Sequence, residues 1–247
     1  MQILISNDDG HEAEGLQALY QSLHSFVDCV VVAPDGNRSA SSHALTVRDP
    51  LRAVTLDNGF IAVDGTPVDC VHLVSNGLLD TLPDMVVSGI NSGMNMGDDV
   101  LYSGTVAAAI EGRFLERPSI AFSMSSYQPR HYATGAEIAQ QLIKKMLDNP
   151  LPKTSILNVN IPDIPIEEIR GLRATRLGSR HKSGELVRST SRDGETVYWL
   201  GPPGEVDDDQ PGTDFHAVAE GYVSVTPLHI DMTHHPSIEP LKHWIDD

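Results

Sequence analysis

Two adjacent carboxylates, Asp8 and Asp9, follow the first apolar run of the chain in ISNDDG, residues 5–10. A nucleotide-binding βα unit usually places glycines here, so that backbone N–H groups can cradle a phosphate. Two bare negative charges would repel one. A divalent cation held by the pair would reverse the local field and turn the same spot into an anion site. Two further loops offer compatible groups. PDGNRSASSHA (34–44) carries Arg38, Ser39 and His43, and SGINSGMNMGDDVLYSGT (88–105) carries Asn91, Asn95, Ser103, Gly104 and Thr105. Carboxylate, amide and hydroxyl oxygens are the donors that hard cations such as Mg²⁺ or Mn²⁺ take. Ser103-Gly104-Thr105 opens a helix, where unpaired N–H groups and the helix dipole favour an anion. A cation beside an anion-binding helix end is the ground plan of a phosphoryl hydrolase.

Each residue has a plainer reading as well. A lone Asp8 or Asp9 suits an N-cap or a turn. Two of them at one strand end, with a hydroxyl and an amide on neighbouring loops, favour the metal. Asn91 can instead support the glycine turn, Ser103 or Thr105 can be a simple N-cap, and Arg38 can be a surface cation. His11 and His43 are acid–base candidates or polar loop residues. Asp98 and Asp99 read as solvated loop acids.

The elements that must position these groups follow from periodicity. Residues 2–6 (QILIS) read as a buried strand, and 15–26 carries Leu16, Leu19, Tyr20 and Leu23 at helical spacing. Residues 28–33 form the next strand. The acidic pair therefore sits at the carboxyl end of the first strand of a βαβ unit, where open parallel sheets bind ligands. Residues 44–64 read as β structure turning at Asp57-Asn58-Gly59. Thr66, Pro67 and Asp69 supply an N-cap, a first helical position and a capping-box acid. Strands are expected at 85–88, 119–124 and 156–161 and near 172–177, with helices over 106–115 and 131–147. Residues 214–228 give a short helix and a strand that returns to the sheet. The fold class is α/β: a Rossmann-like, mostly parallel sheet with helices on both faces. The expected division is a core at 1–150 carrying the site and a β-rich C-terminal extension at 151–247. Within the extension, 185–200 forms a hairpin arm around Asp193-Gly194. A lone ribbon is marginal in water, so the arm is expected to pack on another subunit.

Composition bounds the partners. With 34 acidic against 17 basic residues, the net charge is −17, which disfavours long nucleic acid. The N-terminus has no signal-peptide pattern, and no apolar run approaches a membrane span. Cys29 and Cys70 lie in apolar runs and read as buried free thiols. A cytoplasmic location is expected. The eleven histidines lack zinc-site spacing.

At this point SNDDG, APDGNRS, the long block SGIN-G-N-G-DVLYSGTV-AA-EG and GYVSVTPL together resemble SurE, the metal-dependent survival-protein family of nucleotidases. The matches keep their order over nearly the whole chain, and the middle block is the specific one. Glu14 stands where the family often has Pro, and His43 where some members carry Asn. The resemblance implies a metal site at Asp8, Asp9, Ser39 and Asn91, with one Mg²⁺ or Mn²⁺ per subunit. Asn95, Ser103, Gly104 and Thr105 are candidate phosphate binders. It also implies a homodimer or homotetramer, and the apolar Leu186, Val197, Trp199 and Leu200 of the ribbon point to exchange of the arm, or of the segment beyond it, between subunits. The expected activity is phosphomonoester hydrolysis of nucleoside monophosphates, extending to 3′-nucleotides and short polyphosphate. Water is the expected nucleophile with Asp8 as general base, or Asp8 attacks directly. The competing readings are a receiver-type signalling module and a metal-dependent deacetylase. The first would need an Asp where MVVSGIN offers Asn91, and the second lacks its histidines. A haloacid-type phosphatase would need Asp-x-Asp. Base preference and phosphate position are not written in any residue.

Overall fold

Strand β1 (Gln2–Ser6) alternates its side chains between two cores, and the rest of the fold is built on that alternation. Ile3 and Ile5 face a layer formed by α1 (Glu14–Leu23) and α4 (Tyr132–Asp148), whereas Leu4 faces the opposite layer. The computed structural model describes residues 1–246. After β2 (Asp28–Pro34), the chain makes a small antiparallel pair, β3 (Ala53–Thr55) and β4 (Ile61–Val63). Helix α2 (Pro67–Leu73) begins with the expected reciprocal cap, Asp69 N–H donating to Thr66 Oγ1 and Thr66 N–H to Asp69 Oδ2. Strand β5 (Met85–Asn91), helix α3 (Gly104–Glu111), strand β6 (Ser119–Met124), helix α4 (Tyr132–Asp148) and strand β7 (Ile156–Ile161) complete the parallel wall. The C-terminal part contributes β8 (Leu172–Ala174), β9 (Ser179–Arg180), β10 (Val187–Thr190), β11 (Thr196–Trp199) and β12 (Val206–Asp208). Helix α5 (Asp214–Ala219), strand β13 (Val223–Leu228) and helix α6 (Ile238–Asp246) follow.

The main sheet has the order β3-β4-β2-β1-β5-β6-β7-β13-β8. Strand β1 is paired in parallel to β2 on one side and to β5 on the other. The chain winds outward from β1 in one direction, then returns to wind outward in the other. That reversal makes the carboxyl end of β1 the topological switch point, the crevice where such sheets bind ligands. Strand β13 returns to the sheet as expected, antiparallel to β7 and parallel to β8. The α/β fold with helices on both faces is as the sequence indicates.

Several details differ from the expectations. Residues 44–52 are irregular, because Asp49 and Pro50 favour a turn and Pro supplies no ladder N–H. The helix expected over 15–26 stops at Leu23, and β5 continues to Asn91. Helix α6 was not expected at all. The hairpin expected at 185–200 does form, as a separate two-stranded ribbon of β10 against β11. Cys70 is buried and Cys29 half-buried, and both are free thiols.

Candidate active site

The turn after β1 is shaped by Asn7, a residue whose role the sequence reading missed. Its Nδ2 donates to the Gly10 carbonyl at 2.9 Å, and its Oδ1 accepts the Gly10 N–H at 3.2 Å. Gly10 takes φ +100, a left-handed conformation that costs a glycine little. This bracket holds Asp8 and Asp9 at the strand end. The N-x-x-G spacing was the available signal.

Asp8 is 4% exposed, and its Oδ1 accepts a hydrogen bond from Thr105 Oγ1. Its backbone carbonyl accepts the Arg38 N–H at 2.7 Å. Asp9 accepts the Ser92 N–H at 2.9 Å and Asn37 Nδ2 at 3.3 Å. The acidic pair therefore joins the 34–44 loop, the loop after β5 and the first turn of α3. The electrostatics are unfavourable as they stand. Burial pushes the Asp8 carboxyl up to about 6, with the Asp9 charge adding to the rise and Thr105 opposing it. Burial raises Asp9 too, against the Ser92 N–H. Among the described residues no cationic side chain pairs with either.

Two adjacent, partly desolvated carboxylates without a counter-charge have the chemistry of a cation site. No cluster of three His, Cys, Asp or Glu occurs among the described residues, so neutral oxygens would have to complete the coordination. Asn91 is 8% exposed and donates from Nδ2 to the Gly93 carbonyl at 2.8 Å, which leaves its amide oxygen as the available ligand atom. Ser39 is exposed on the loop tied to Asp8 and Asp9, with its N–H on Asn37 Oδ1 at 2.9 Å. An all-oxygen set of this kind fits a hard divalent cation.

The family model described as survival protein SurE matches residues 3–184. This chain belongs to the SurE family. It is 54% identical over 245 residues to a curated protein from Methylococcus capsulatus named 5′-nucleotidase SurE, covering 99% of this chain and 98% of that one. It also superposes on the crystal structure of the SurE protein from Aquifex aeolicus with a TM-score of 0.87 at 41% identity, each chain covered completely.

The other candidate residues are held by different partners. Ser103 caps α3, its Oγ accepting the Val106 N–H at 3.0 Å, and Thr105 commits its hydroxyl to Asp8. Gly104 begins the helix directly against Asp8. Asn95 is buried, and its Nδ2 donates to Ser123 Oγ at 2.7 Å. Its backbone is clamped by Asn158 and Asn160 of β7, which donate to its carbonyl at 2.7 and 3.0 Å, while Asn160 Oδ1 accepts its N–H at 2.8 Å. Arg38 pairs with Asp35 on its own loop at 2.9 Å. His11 donates its backbone N–H to the Pro34 carbonyl at 3.0 Å. His43 instead meets Glu111 Oε2 at 3.1 Å. Glu111, buried at the end of α3, also contacts His72 and Arg113. The His43 contact is the main reason its carboxyl is held down to about 2, and the His72 and Arg113 contacts add to it. Asp98 and Asp99 are not free loop acids. Asp98 accepts the Arg180 N–H and Asp99 its guanidinium, both at 2.9 Å.

Proposed function

We propose that this chain is a divalent-cation-dependent phosphomonoesterase acting on nucleoside monophosphates. The observation that carries the reading is the contact of buried Asp8 with Thr105 at the start of α3, which sets a candidate cation site directly against an anion-binding helix end. The name of the Methylococcus capsulatus relative supports the 5′-nucleotide as substrate. The extension to 3′-nucleotides and short polyphosphate belongs to the same proposal.

In this reading Asp8, Asp9, Asn91 and Ser39 hold one Mg²⁺ or Mn²⁺. The cation supplies neutralisation of the phosphoryl charge as it develops in an in-line displacement. The backbone N–H groups of Gly104 and Thr105 orient the phosphoryl oxygens, and Ser103 fixes the helix end that presents them. Thr105 holds the Asp8 carboxylate in one orientation. Asp8 takes the proton of the attacking water. Beside Ser103 lies a mainly apolar cavity of about 870 Å³, lined by His43, Leu101, Ala107 and Ile110 among others, with room for a nucleoside. We further propose that two or four copies assemble by exchanging the β10–β11 arm or the segment beyond it.

Phosphate release from a panel of 5′- and 3′-nucleotides and short polyphosphate, measured beside acetate release from an acetylated amine, tests the reading. Turnover of 5′-nucleotides is expected. Deacetylation alone, or no turnover with cation binding only, would favour the deacetylase or the receiver-type module.

A further inference from the structure

The hydroxyl of Ser41 is shielded from solvent and has no hydrogen-bond partner among the described residues. The hydroxyls of Ser6, Ser75, Ser88 and Ser119 share that state, and what sets Ser41 apart is its surroundings. A methyl group placed on Gly104 would lie 2.8 Å from Ser41 Oγ, 2.9 Å from Asp8 Cβ and 3.0 Å from Asp8 Oδ2. Around one point, then, meet the Ser41 hydroxyl, the Asp8 oxygen that Thr105 does not occupy, and the first residue of α3.

The backbone that delivers Ser41 is strained on both sides. Ala40 has φ +59 and Ser42 φ +54, left-handed conformations that residues with a Cβ adopt at a cost. Both ends of this short segment are tied down. Arg38 donates its N–H to the Asp8 carbonyl at 2.7 Å, and Ser41 its own to the Arg38 carbonyl at 3.2 Å. Ser42 donates its N–H to the Tyr102 carbonyl at 3.1 Å and its hydroxyl to the Leu101 carbonyl at 2.7 Å. Strain held in place by such ties gathers at ligand clamps, and what it positions here is one unsatisfied hydroxyl.

We propose that Ser41 is a further substrate-binding residue, whose hydroxyl donates a hydrogen bond to a non-bridging oxygen of the phosphoryl group bound at the N-terminus of α3. The assignment rests on the phosphomonoesterase reading for its substrate, but phosphate binding tests it separately. Serine 41 differs from Ser103 and Thr105 in that its hydroxyl has no competing partner inside the protein. Its hydrogen bond to an anionic oxygen is therefore gained on binding and replaces no other, against only the local shift of residues 40–42 that uncovers the hydroxyl.

The experiment compares the wild-type chain with Ser41→Ala in three measurements: calorimetric affinity for inorganic phosphate with Mn²⁺ present, kcat/KM for a nucleoside 5′-monophosphate, and the melting temperature of the ligand-free protein. Phosphate affinity and kcat/KM are expected to fall roughly tenfold. The melting temperature should hold or rise, because an unsatisfied buried hydroxyl has been removed. Phosphate affinity within twofold of wild type would overturn the assignment, and so would a loss accompanied by a lower melting temperature, which marks a structural role. If the wild type binds phosphate but hydrolyses no nucleotide, and Ser41→Ala still weakens phosphate, the nucleotidase reading fails and the Ser41 assignment stands. A wild type that binds no phosphate overturns both.

Discussion

Without a cation, ionised Asp8 works against folding. Its carboxyl is raised from 3.8 to about 6 in the folded chain, so the folded state holds the proton more tightly than the unfolded one. Stability from this group is therefore greatest below pH 4 and is lost as pH rises through 6, by roughly 3 kcal/mol in all. Asp8→Asn should melt higher than the wild type in chelator at pH 7.5, and the gap should close near pH 4. The same variant should lose nucleotide turnover. Melting curves across that pH range check the first outcome, and a lower melting point at pH 7.5 would contradict it. Glu111 has the opposite sign. Its carboxyl is lowered to about 2, so its contribution is complete above about 4.5 and is lost as pH falls towards 2. Glu111→Gln should destabilise the protein by roughly 2–3 kcal/mol at pH 7, with the difference shrinking below pH 4.5 in urea titrations. The acidic pair was legible in the sequence because its two members are neighbours. Glu111 was not, since His43 and His72 reach it across separations of 68 and 39 residues.

The loop after β5 is pinned from the C-terminal half of the chain. Asn158 and Asn160 hold Asn95, Asp214 Oδ2 accepts the Gly97 N–H at 2.8 Å, and Arg180 holds Asp98 and Asp99. Asn160→Ala removes the acceptor of the Asn95 N–H and one donor to its carbonyl. We expect kcat/KM to fall about tenfold, stability to fall by about 1–3 kcal/mol, and amide exchange to quicken between residues 92 and 103. Unchanged exchange in that loop would show that the clamp does not order it. The periodic elements, β1, α1, β2, α4 and β7, could be read from spacing because one buried face repeats along each of them. ILNVNI read correctly as a strand, yet nothing local revealed that its two asparagines serve a loop more than sixty residues away. Helix α6 escaped notice because it buries no residue, so no core dictates its pattern.

At the scale of the whole molecule, two apolar appendages stand away from the sheet. Leu186, Trp199 and Leu200 on the ribbon are 60%, 66% and 89% exposed, and Trp244 and Ile245 of α6 are 76% and 66% exposed. Exposed ribbon edges and aromatic surface of this kind invite association. Exchange between subunits would bury them. Light scattering at micromolar concentration should report a dimer or tetramer, and deletion of residues 185–200 should give a monomer or an insoluble chain. A soluble monomer of the intact protein would contradict the exchange. The charge of −17 means that substrate must be attracted by the site itself, against the field of the surface. The most direct test of the whole account is therefore phosphate release from a nucleoside 5′-monophosphate by one preparation, measured after chelation and again after Mg²⁺ or Mn²⁺ is restored. The account predicts no release in chelator, recovery on adding the cation, and no recovery in Asp8→Asn; full turnover in chelator would contradict it.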